Sequence, residues 1–302
     1  MWAAAPDVAA SPTHAASEDA TFDFYVSGIP VGKMSLDTSQ TAASYTSRSR
    51  IEAAMSGVRL NTDAIDNSAG VNTSDLEVNI KIALSNLLRA GTLSFDQRNA
   101  LLFSMTDEVA ALVLRNNYLQ TLALSLAEKS GMEDLGSRQR LMQTLEARGL
   151  LDRAVEFLPD DIEIAERRRR SQALTRPELA VLLAYAKLTL YSDLVETSVP
   201  DDPYLGRELF RYFPAELSRR YPAELEHHRL RREIIATNLT NSIINRGGPS
   251  LVARMTDETG ASADRIARAF AAVRDSYDMV GLNGEIDALD NRIAGALQLD
   301  LY

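Results

Sequence analysis

From Ser74 onward, apolar residues return every three or four positions: Val78, Ile82 and Leu87, then Val109, Leu112, Val113, Leu119 and Leu122. That is the helical period. Start signals accompany it. Ser74 with Glu77, Ser94 with Gln97 and Thr175 with Glu178 have the spacing of capping boxes, and Pro177 falls in a first turn, where its missing N–H costs nothing. Gly91, Gly131, Gly149, Pro159, Pro200 and Gly247 supply stops. Together they predict helices over 75–90, 95–129, 137–148, 150–157, 161–171, 176–197, 203–212, 215–246, 249–258, 262–279 and 283–297. Short connections favour antiparallel neighbours in a compact array, and no fixed repeat period suggests a solenoid.

The first part of the chain has a different pattern. Residues 1–20 are Ala-rich, with Pro6 and Pro12, and read as a flexible leader. They lack the basic start and continuous apolar run of an intact signal peptide. Residues 21–53 alternate with period two: Phe22, Phe24 and Val26 share a face, Gly28–Gly32 turns, Met34 and Leu36 resume, and a third run centres on Tyr45. A short antiparallel β meander is expected there, needing a helix to pack on. The expected fold class is therefore mainly α, a multi-helix array with a short N-terminal antiparallel β meander.

Composition narrows the classes of function. The 302 residues are 45% hydrophobic and 25% charged, ordinary globular usage with room for a sizeable core. A net charge of −10 argues against nucleic acid and anionic membranes as partners. Without cysteine there are no disulfides, thiolate metal sites or Cys nucleophile. No apolar run approaches the roughly 20 residues of a membrane span.

Candidate chemistry is sparse. His227 and His228 are adjacent, about 100° apart on a helix, which is wrong for a shared metal; a surface or capping role is expected. The run Arg167–Arg170 follows Asp160, Asp161, Glu163 and Glu166 and reads as a solvated helix end. Arg229, Arg231 and Arg232 beside Glu233 suggest intrahelical pairing. Asp201, Asp202 and Asp257 lack the alternation of a calcium loop. The exception is the run from Val58 to Asn79, where a polar, Gly-containing segment with Asn67 precedes the Ser74–Glu77 pair. A helix N-terminus there presents free amides and a hydroxyl, which suits a carboxylate or phosphate.

The wording of that run, Val58-Arg-Leu-Asn-Thr-Asp-Ala-Ile-Asp-Asn-Ser-Ala-Gly-Val-Asn-Thr-Ser-Asp-Leu-Glu-Val-Asn79, resembles the end of the catalytic region in the large bacterial NAD-specific glutamate dehydrogenases. The resemblance continues through Met105–Thr121, Leu151–Pro159, Leu174–Lys187, Pro200–Leu205 and His228–Thr237, covering roughly 58–302. Residues about 21–57 weakly resemble an uncharacterised β-rich proteobacterial envelope family, as if two families abut. The implied organisation is a leader (1–20), a β meander (21–57), the end of a dehydrogenase catalytic region (58–92) and a C-terminal helical domain (93–302).

The resemblance implies the reaction of glutamate, NAD+ and water to 2-oxoglutarate, ammonia and NADH. It also implies NAD as the parent family's cofactor, a homo-oligomer or association with dehydrogenase subunits, and a cytoplasmic location. By the same resemblance Ser74 would hold the side-chain carboxylate of glutamate and Asn67 would stand near the nicotinamide. Asp75 and Leu76 depart from the aromatic residues of compact relatives, so the match is looser there. The family's catalytic Lys and Asp and its dinucleotide fold lie upstream of the matched run. No G-x-G-x-x-G follows a strand pattern, since Gly247-Gly248 follows a helical one. The expected site is therefore vestigial, with no catalytic residue and no tightly bound NAD, and the isolated chain is expected to be inactive. The alternative reading is a non-catalytic helical interaction or oligomerisation module, and a third takes the β meander at face value as an envelope protein.

Overall fold

A computed structural model describes residues 61–302 in full and, before them, only the backbone of the extended segments Glu18–Val26, Ile29–Thr41 and Ser44–Ile51. The backbone divides into two compact units, Met1–Leu60 and Asn61–Tyr302. The second unit is an array of helices with no β-strand among its residues. This corrects the expected fold class. The side-chain alternation on which a β meander over 21–57 rested lies outside the described residues, and three strands alone rarely bury enough surface to stand as a unit. The meander is not supported as part of this fold, which is an α-helical array.

The array opens with α1 (Asp63–Asp66) and α2 (Ser68–Arg89), then α3 (Phe95–Ser104), α4 (Thr106–Ser130) and α5 (Leu135–Ala147). After α6 (Asp161–Arg169) comes α7 (Arg176–Val195), a helix buried over most of its surface. Its Leu179, Leu182, Leu183, Leu190 and Leu194 are all buried. Glu178 reaches back to the Thr175 amide at 2.6 Å, so the capping-box spacing marks this start correctly. Beyond α7 lie a short 3-10 turn (Val199–Asp201), α8 (Arg207–Tyr212), α9 (Ala215–Arg220), α10 (Pro222–Glu226) and α11 (Arg231–Gly247). The chain closes with α12 (Leu251–Thr259), α13 (Ala263–Ser276), α14 (Met279–Asp287) and α15 (Gly295–Leu301).

Several predicted helices are subdivided. The 95–129 helix breaks at Met105, whose buried side chain pins a turn between α3 and α4. The 215–246 helix breaks twice, because Pro222 has no N–H to continue α9 and the chain turns again at His227–Leu230 before α11. Residues 150–157 form turns, not a helix. There the Arg153 guanidinium is spent on Pro159 O, Asp161 and Glu146, and Phe157 takes a left-handed backbone.

Two apolar cores result. One surrounds α7 with Leu124, Leu135, Met142, Leu145 and Ile164; the other gathers Ile80, Leu84, Leu101, Met105, Leu209, Phe213 and Leu225. Helix α11 joins them, giving Ile234 and Ile235 to the second and Ala236, Leu239, Ile243 and Ile244 to the first. At roughly 1.5–3 kcal/mol per fully buried aliphatic side chain, these seams dominate the stability. Buried polar groups are placed to satisfy backbone. Arg138 on α5 donates to Ala127 O at 2.5 Å and Gly131 O at 3.2 Å, capping the C-terminus of α4.

His228 forms a comparable joint. Its Nε2 donates to Asn79 O at 3.0 Å while its Nδ1 accepts from the Leu230 amide at 3.0 Å, so two backbone groups fix the neutral tautomer. Of the expected surface or capping role, the surface alternative fails for His228, whose side chain is buried, and burial pushes its pKa down despite the helpful carbonyl.

Two outcomes follow for stability. Leu182→Ala is expected to lower the unfolding free energy by about 2–5 kcal/mol, against less than about 0.5 kcal/mol for Leu188→Ala on the exposed side of the same helix, measured by urea unfolding. Because the folded His228 binds its proton less readily than the unfolded one, its contribution is present above the ordinary value of about 6.5 and is lost as pH falls below it. Denaturant midpoints from about pH 7.5 down to about pH 5.5 should drop more steeply in the natural chain than in His228→Gln; parallel curves would contradict this.

Candidate functional site

Helix α2 and the cap residue before it carry both residues that the sequence singles out. It begins earlier than its capping-box spacing indicates, at Ser68 with Asn67 as the N-terminal cap residue, and Ile65 before it and Leu76 within it are both buried. Gly70 is tolerated inside the helix for a local reason. A Cβ there would meet Asn67 Oδ1 at 2.8 Å, so the asparagine side chain folds over the space that glycine leaves. On the inner side, Ser68 Oγ donates to Asn117 Oδ1 at 2.8 Å and Asn116 Nδ2 donates to Asn72 Oδ1 at 3.2 Å, fixing α2 on α4.

This corrects the expectation that Ser74 sits at a helix start facing free amides. Ser74 lies inside α2, about 10 Å along the axis from Asn67 at 1.5 Å per residue. Glu77 does not cap it but pairs with Lys81 one turn on. The amides left without a side-chain cap belong to the turn after Asn67. Asn67 and Ser74 do share a face, seven residues apart, with Val71 and Val78 at the same angular position. That stripe points outward. Val71 is 72% and Val78 50% exposed, and the Ser74 hydroxyl makes no hydrogen bond with any described residue.

Behind the stripe stands a polar node that sequence reasoning missed. The Tyr212 hydroxyl donates to Asp75 Oδ2 at 2.6 Å and accepts from Asn79 Nδ2 at 2.8 Å. Burial, reinforced by the Asp75 carboxylate, pushes the phenol pKa well up, so Tyr212 serves as a neutral donor. Asn79 Oδ1 has no partner although its side chain is buried. Asp75 and Asn79 are one helical turn apart, which is the only signal the sequence offered; Tyr212 comes from 137 residues along the chain.

On the flank of α2 next to the stripe, an open cleft of about 540 Å³ lies between α2, α3 and α4. Ile80, Leu102, Met105 and Val109 make it apolar, and Lys81 and Arg98 stand in its wall. It takes in Thr73 and Glu77 but neither Asn67 nor Ser74. The other charged candidates are absorbed by the fold: Arg167 pairs with Glu163 and Glu178, Arg232 with Asp201, and Arg268 with Asp202. No helix among the described residues is long and apolar enough to cross a membrane.

Comparison with known proteins gives this geometry a family. Residues 171–302 match the model for the glutamate dehydrogenase C-terminal region, and residues 35–127 match the bacterial NAD-glutamate dehydrogenase catalytic domain. The second match reaches back into the stretch read as resembling an envelope family. Over 256 residues, 85% of this chain, it is 48% identical to the NAD-specific glutamate dehydrogenase of Halomonas elongata and 46% identical to that of Pseudomonas aeruginosa. It is 40% identical over 227 residues to the enzyme of that name from Mycobacterium tuberculosis. The chain spans only 16% of the length of the first two and 14% of the third. On these matches, the chain belongs to the NAD-specific glutamate dehydrogenase family, of which it carries the C-terminal region.

Proposed function

We propose that this chain is the C-terminal part of an NAD-specific glutamate dehydrogenase, an enzyme converting glutamate, NAD+ and water to 2-oxoglutarate, ammonia and NADH. In this reading residues 58–92 complete one wall of the catalytic cleft and residues 93–302 support assembly or regulation in a cytoplasmic oligomer. The observation that carries it is the outward stripe of α2, where an unbonded Ser74 hydroxyl stands between exposed Val71 and Val78. A hydroxyl donor flanked by apolar contacts suits the side-chain carboxylate of glutamate and its methylenes. Asn67, a helical turn beyond Val71, would face the nicotinamide end.

The described residues do not form a dinucleotide cradle. Helix α2 follows the one-turn helix α1 instead of a strand and glycine-rich turn, and no lysine shares the stripe. No hydride step is therefore derived from them, and the chain alone is read as inactive. The second reading, a helical oligomerisation module, draws on exposed apolar side chains such as Phe103, 84% exposed at the rim of the cleft. Size exclusion with light scattering tests it, since a monodisperse monomer would count against it.

Purified chain given glutamate and NAD should produce no NADH by absorbance, and sustained turnover would contradict the proposal. In a full-length dehydrogenase containing this segment, Ser74→Ala should raise the KM for glutamate by about 10- to 100-fold, the equivalent of one charge-assisted hydrogen bond, with little change in the KM for NAD. An unchanged KM for glutamate would remove Ser74 from the substrate site.

A further inference from the structure

The sequence contains four lysines, Lys33, Lys81, Lys129 and Lys187, against 28 arginines. Lys81 and Lys129 are ordinary surface cations, with side chains 41% and 40% exposed and ion-paired to Glu77 and Asp300. Lys187 is different. It lies on the inward stripe of α7, with Ala180, Leu183, Leu190 and Leu194 at minus seven, minus four, plus three and plus seven, all of them buried. It makes no hydrogen bond or ion pair with any described residue. The two carboxylates of α7 itself are engaged elsewhere, Asp193 with Arg148 and Glu178 with Arg167.

The chemistry of such an amine is set by what surrounds it. An arginine here would remain charged at any attainable pH, whereas a lysine can give up its proton. Burial alone, with no charged neighbour contributing, pushes the Lys187 pKa down to about 7. Near neutral pH a large fraction of the side chain is then the free base, with a nucleophilic lone pair. The residue is half-buried, and its nitrogen is not among the fully enclosed unpartnered atoms, so it is not sealed from solvent.

We propose that Lys187 is a reactive amine of the helical unit that accepts an acyl group from small acyl phosphates. The Nζ lone pair attacks the carbonyl carbon and the N–C bond forms. The C–O bond to phosphate breaks, phosphate leaves with the electron pair, and the surplus amine proton passes to water. The product is a neutral amide, which removes an unpaired charge from the α7 seam. This assignment does not depend on the dehydrogenase reading.

The test is competitive labelling of the folded full chain with acetyl phosphate near neutral pH, quantified at each lysine by peptide mass spectrometry. Lys187 should acylate on the order of tenfold faster than Lys81 and Lys129, with a rate that levels off just above about pH 7, where its free base is saturated. Labelling of Lys187 at the pace of the two surface lysines, or only after denaturant is added, overturns the proposal. Lys187→Arg, which keeps the charge but cannot form the amide, should abolish the fast phase while leaving the slow labelling of Lys81 and Lys129 intact.

Discussion

A helix that is apolar on nearly every side can exist in water only if other helices surround it. Helix α7 imposes that condition here. Its leucines leave it only a narrow exposed strip of Ala184, Leu188 and Ser192, so α4, α5, α6, α11 and α13 are arranged around the rest. Of the helices that wrap it, α6 has only nine residues. Short segments of that kind are stabilised by packing and not by propensity.

The electrostatics follow from the same requirement. Where helix ends meet the core, arginines carry the polar load. Arg176 links the start of α7 to Asn61 and to Thr121 O of α4, and Arg138 closes the end of α4. A denser knot holds α8, α11 and α13. Glu208, only 2% exposed, accepts from Arg274 at 2.7 Å and from Asn238 at 2.7 Å, and Arg274 also engages Asp275. Burial opposes ionisation of Asp275, yet Arg274, the Tyr204 hydroxyl and Arg211 hold its carboxyl well below the usual range. Such pairs fix geometry more than they add stability, since removing one partner leaves the other charge stranded.

Much of this was legible in the sequence, and the failures have physical causes. The starts of α3 and α7 were visible because Ser94–Gln97 and Thr175–Glu178 act through neighbouring backbone alone. Ser74–Glu77 has identical spacing and is not a cap, because burial of Leu76 and Ile80 carries the helix back to Ser68 and frees Glu77 for Lys81. The breaks at Met105 and after Glu226 escaped notice since each is set by tertiary burial, of Met105 and of His228 respectively. The candidate stripe was half legible. Asn67 and Ser74 share a face because they are seven residues apart, whereas the Asp75–Asn79–Tyr212 node behind them depends on residues far apart in sequence.

The account stands on α7 and α11 forming the frame of an independently folded helical unit that leaves the stripe of α2 outward. Native-state hydrogen exchange on the purified chain tests this most directly. The slowest amides should lie in Arg176–Val195 and Arg231–Gly247 and open only with global unfolding, while those of Ser68–Ser74 exchange by local opening. Exchange in α7 and α11 as fast as in the first turns of α2 would contradict it.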